Sequence, residues 1–97
     1  MNGVRWVDSK TLLEDFGFGR AIAAISEALE SGYDPETDHS RSVISFAEGQ
    51  GLVMPSEYMD RVGLKFVTVA PKNPGVGLDR IQGIYTLFDA QTLSPIL

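Results

Sequence analysis

The chain has 97 residues, 43% of them hydrophobic, with a formal net charge of −5 and a sequence pI near 4.6. That length holds one small domain, which buries little more than ~60% of the surface its unfolded chain exposes. Eight Lys and Arg scattered singly through an acidic chain argue against a nucleic-acid binder, and one histidine with no cysteine excludes disulfides, thiol chemistry and a Cys/His metal centre.

No apolar run approaches the ~20 residues of a membrane span, and the opening MNGVRWVDSK lacks the apolar stretch of a secretory signal. The expectation is a cytoplasmic protein. VRWV at 4–7 reads as a short strand. Asp8 or Ser9 can cap a helix through 10–15, and Gly17 and Gly19 are expected to break it. From 20 to 31, Ile22, Ile25 and Leu29 recur at three- and four-residue spacing with alanines between them, an amphipathic helix stopped by Gly32. YDPETDHS, 33–40, is a polar loop.

Residues 41–46 alternate as a strand does, and the turn AEGQG joins them to 52–54 as a β-hairpin. Met54-Pro55 is expected to end that strand because proline cannot continue a ladder, leaving 56–62 as a short helical or looped connector. Residues 64–70 form the next strand, 71–83 a loop bent by PKNPGVG, and 84–89 a further strand. A turn at 89–93 follows, and 94–97 begins a returning strand. There is no internal repeat. The order predicts an α+β fold: a mostly antiparallel sheet with one or two helices packed on one side. Strands apolar on both faces call for a partner, and a homodimer would supply it.

Two cations stand out. Lys65 sits among Val67 and Val69 on one face of its strand, and Arg41 opens a strand face carrying Val43. Lys65 has two readings: an ammonium snorkelling out at a sheet edge, or one facing an anion in a wet cleft. If the two strands lie side by side in register, both cations share a pocket suited to a carboxylate, the guanidinium gripping it as a fork and the ammonium adding a point charge. GVGLDR is not a dinucleotide loop, since Arg80 stands where a third glycine belongs and a strand follows it. His39 with Asp38 and Ser40 in one loop is no catalytic triad, and Asp34, Glu36 and Asp38 read as solvent-facing.

RSV at Arg41, LVMP at 52–55, GLKFVTVAPKNP at 63–74 and RIQGIYTLFDAQTLSPI at 80–96 together resemble the ornithine cyclodeaminase/mu-crystallin family, across nearly the whole chain. The resemblance implies a two-domain dimeric enzyme that turns over an amino or imino acid with NAD or NADP. Residues 1–97 would be the N-terminal substrate-binding and dimerisation domain, and the nucleotide-binding Rossmann domain would be absent from this chain, so that no cofactor is expected for it alone. It further implies that Arg41 binds the substrate carboxylate and that Lys65 binds substrate and takes part in catalysis. Met54 would line the pocket, and Asn73 and Gln82 would be structural. Leu52 and Val53 stand where ornithine-specific members carry an acidic residue, which points to another amino or imino acid. The other reading is a non-catalytic binding or scaffold domain that retains the fold.

Overall fold

The structure, a computed structural model, describes residues 4–97, and these divide into two compact units, 4–38 with Leu97, and His39–Ile96.

In the first unit the strand expected at 4–7 does not form; residues 4–8 carry no regular structure and Trp6 is largely exposed. So short a segment makes a strand only where a neighbour completes the ladder. Helix α1 (Ser9–Asp15) starts at Asp8, whose carboxylate accepts the Thr11 backbone N–H at 2.8 Å. Helix α2 (Phe18–Glu30) starts two residues before the expected point, with Gly17 as its N-cap, so Gly19 lies inside the helix instead of breaking it. One glycine in a first turn costs ~1 kcal/mol, too little to delay a thirteen-residue helix. The Arg20 guanidinium joins the two helices by donating to the Asp15 carbonyl at 2.9 Å and lying 5.1 Å from the centre of the Phe16 ring. Gly32, at φ 101°, ends α2 as expected: its N–H bonds the Leu29 carbonyl, and the Tyr33 N–H reaches back to Ala28. The acidic loop that follows is not wholly solvent-facing, because Asp38 is half-buried and accepts the Tyr33 hydroxyl.

The second unit is a four-stranded antiparallel meander of β1 (Ser42–Phe46), β2 (Gly49–Tyr58), β3 (Arg61–Val69) and β4 (Ile81–Asp89), in the order β1-β2-β3-β4. The fold is α+β. Pro55 does not end β2: it sits opposite Leu64, and the ladder runs on through Tyr58↔Arg61. The recorded β1 pairing stops at Ser42↔Val53, so from Met54 onward β2 has a neighbour on one side only, and a missing N–H on the open side breaks no ladder bond. The expected connector at 56–62 is therefore a tight hairpin around Met59 and Asp60. The loop before β4 carries a 3₁₀ turn (Asn73–Val76) closed by left-handed Gly77. Asn73 and Gln82 side-chain amides both donate to the Asp79 carbonyl, as structural residues would. The returning strand is reduced to one bridge, Phe88↔Pro95, because Asp89 gathers the preceding turn on its own carboxylate.

Among the described residues only Gly51 and Gly63 are buried, and no hydrophobic side chain is. The expectation of strands buried on both faces fails for the single chain. Each buried glycine instead lies under aromatic rings: a Cβ on Gly51 would stand 2.7 Å from the Phe46 ring and 2.8 Å from the Phe66 ring, and one on Gly63 would collide with the Tyr85 hydroxyl.

Candidate functional site

Register decides which side chains share a face, since directly paired residues of antiparallel strands point the same way and their neighbours point the opposite way. Met54 pairs with Lys65, and Lys65 with Tyr85. Arg41 immediately precedes Ser42, whose partner is Val53. Met54, Lys65 and Tyr85 thus form a single row across one face of the sheet, and Arg41 lies just before β1, next to the Ser42↔Val53 pair that closes the β1–β2 ladder.

The strands of the two cations are not side by side, because β2 lies between β1 and β3. Two strand spacings separate their backbones, roughly 10 Å. Arg41 and Lys65 are both exposed, and Met54 is half-buried on the strand between them. The next row of the same face is apolar: Val43, Leu52, Val67 and Gly83. Among the described residues the side chains of Arg41 and Lys65 and the Tyr85 hydroxyl have no hydrogen bond or ion pair, whereas Arg61, Lys72 and His39 pair with Asp60, Glu48 and Glu57.

Beyond Lys65 the same face holds a cavity of about 290 Å³ lined by Ser56, Tyr58, Gly63, Tyr85 and Leu87 and by the Asp60–Arg61 pair. Sequence reasoning passed over Tyr85 and Gly63. Spacing alone reveals alternation along one strand, but only register puts Tyr85 beside Lys65.

Two carboxyls depart from their usual acidity, both through hydrogen bonds to turns. Backbone N–H donors of Thr92 and then Gln91 hold Asp89 below the ordinary carboxylate range, with a smaller contribution from the Arg61 charge. The Thr11 backbone N–H does the same for Asp8. No three His, Asp or Glu among the described residues converge to hold a metal ion. No helix among them is long and apolar enough to cross a membrane.

No family model matches the sequence. Over 86 residues, 87% of its length, the chain is 43% identical to Delta(1)-pyrroline-2-carboxylate reductase of Bacillus cereus (strain ATCC 10987 / NRS 248). It is 42% identical over 86 residues to the protein of the same name from Bacillus thuringiensis subsp. konkukian. A lysine cyclodeaminase structure, described as recognising L-lysine, L-ornithine and L-2,4-diaminobutyric acid, matches 90% of the chain at a TM-score of 0.67 and 22% identity, a likeness of fold. An archaeal alanine dehydrogenase dimer with bound NAD matches 62% of it at 0.57 and 28%. These likenesses support the resemblance to the ornithine cyclodeaminase/mu-crystallin family read from the sequence.

It spans 22% of each of the two reductases, 28% of the cyclodeaminase chain and 19% of the alanine dehydrogenase chain. The relatives named here are, by name, enzymes of amino and imino acids, one of them with NAD bound.

Proposed function

We propose that this chain is the substrate-binding and dimerisation portion of an NAD(P)-dependent enzyme acting on a small amino or imino acid. Arg41 and Lys65 take the substrate carboxylate from two sides, Met54 supports the ligand between them, and Lys65 also polarises or protonates the reacting nitrogen. The observation that carries this reading is the row of Met54 and Lys65 with Arg41 at the adjoining end of the β1–β2 ladder, the side chains of both cations unpaired among the described residues of an acidic chain.

The apolar row beside it favours a compact ring over a diamino chain, because Leu52 offers no charge to a second ammonium. That agrees with the substrate in the name of the 43%-identical relative, Δ1-pyrroline-2-carboxylate.

A nicotinamide nucleotide, when bound, supplies or accepts the hydride. The described residues do not fit it, since Gly75 and Gly77 belong to a 3₁₀ turn that leads into a strand. What this chain contributes is orientation and charge: it fixes the carboxylate, and with it the plane of the reacting carbon–nitrogen bond.

Dimerisation is supported by the sheet itself. Phe46 and Ile84 on one face and Val43 and Ile81 on the other are each more than 40% exposed, and a second copy would bury them.

Calorimetric titration with pyrrole-2-carboxylate, a stable planar acid of the right size, tests the assignment. Arg41→Ala is expected to weaken binding by about 1.5–3 kcal/mol, the range for a charge-assisted hydrogen bond. Unchanged affinity in both Arg41→Ala and Lys65→Met would remove both cations from the site.

A further inference from the structure

The Tyr85 phenol belongs to no role assigned so far. Tyr85 stands directly across from Lys65, yet its hydroxyl lies over Gly63, two residues along the same face of β3. Gly63 is buried, and its backbone is not in the left-handed region, so conformational freedom does not demand a glycine there. Space does: any Cβ at that position would collide with the phenol. The hydroxyl forms one wall of the 290 Å³ cavity, next to Ser56, the partner of Gly63, and no protein group among the described residues bonds it. A phenol can donate to an imine nitrogen and accept from an N–H, which an ammonium cannot.

Building on the carboxylate site proposed above, we propose that Tyr85 is a ligand-positioning residue, and that Gly63 is glycine to let its hydroxyl reach in. A ligand whose carboxylate rests on Lys65 then turns its nitrogen-bearing edge toward the Tyr85 hydroxyl, and the Leu87 side of the cavity takes the carbons of the ring. Lys65 reads the acid and Tyr85 reads the nitrogen, so the two together select α-imino and α-amino acids over plain carboxylic acids.

The test compares two probes of nearly the same shape by calorimetry: pyrrole-2-carboxylate, with a ring N–H, and cyclopent-1-ene-1-carboxylate, without one. Tyr85→Phe keeps the ring and removes only the hydroxyl. It is expected to weaken pyrrole-2-carboxylate binding about five- to tenfold and to leave the cyclopentene acid within twofold, a discrimination that mere structural damage would not produce. Gly63→Ala, which moves the phenol and adds nothing polar, is expected to give the same selective loss. In the double variant Tyr85→Phe should then cost little more, because the hydroxyl is already displaced. Equal loss for both probes, or none for either, in Tyr85→Phe overturns the assignment. Lys65→Met keeps the outcomes apart. If it abolishes binding of both acids while Tyr85→Phe changes nothing, the carboxylate site stands and the role of Tyr85 falls. If neither variant matters, the carboxylate site falls as well.

Discussion

Arg41 and Lys65 matter because of what surrounds them. Lys65 is exposed, but its ammonium shares its face with methionine, valine and leucine and lacks a counter-ion among the described residues. Such a charge gains most from a ligand anion, because little else nearby competes for it. Shape also matters. Arg41→Lys keeps the charge but loses the planar fork, and is expected to recover less than half of the binding free energy lost in Arg41→Ala, read by the same titration. The alternation of RSV and LKFV singled out both cations, and the family resemblance alone added Met54. Tyr85 was not, because its relation to Lys65 depends on how β4 registers against β3, and no pattern within β4 encodes that.

Two hairpins and a capped helix set the stability of the elements. The β2–β3 turn places Met59 at φ 53°, a left-handed conformation that a side chain adopts at a cost of roughly 1–2 kcal/mol. Met59→Gly relieves that cost and returns part of it as unfolded-chain entropy, so a net gain of about 0.5–1 kcal/mol is expected in urea melts. The turn after β4 depends on Asp89, which accepts from Gln91 and Thr92. Its carboxyl, like that of Asp8, is more acidic in the folded state than in the unfolded chain. The folded state therefore holds fewer protons, and the stabilisation is complete above the unfolded value near 3.8 and is lost as pH falls through the lowered one. Asp89→Asn is expected to flatten the acid limb of a stability–pH curve below about pH 4, measured by denaturant titration at each pH. The helix caps were readable from Asp8 and Gly32, whose chemistry is local. The span of β2 through Pro55 was not, since whether a proline breaks a ladder depends on whether a neighbour occupies that side, a fact of the sheet and not of the tetrapeptide.

At the scale of the whole molecule, an open meander without a buried hydrophobic side chain is an incomplete packing unit. The α+β class followed from element order, but burial did not, because two-sided apolar strands say that something covers them without saying what. Self-association is the proposed answer. Sedimentation velocity at micromolar concentration is expected to show a dimer, and replacing exposed Ile84 with Lys to shift it toward monomer; an Ile84→Lys protein still dimeric would place the contact elsewhere. The proposed ligand face is a separate matter: Met54 and Lys65 share a row by register, Arg41 lies at the adjoining end of the β1–β2 ladder, and the three are proposed to hold one ligand. Titrating pyrrole-2-carboxylate into ¹⁵N-labelled protein and following side-chain and backbone resonances tests this most directly. Saturable shifts should appear at the Arg41 Nε–H, the Lys65 ammonium and the amides of 52–54, with Ile44 and Phe66 on the opposite face unmoved. Shifts centred on the opposite face, or on residues outside the sheet, would contradict it.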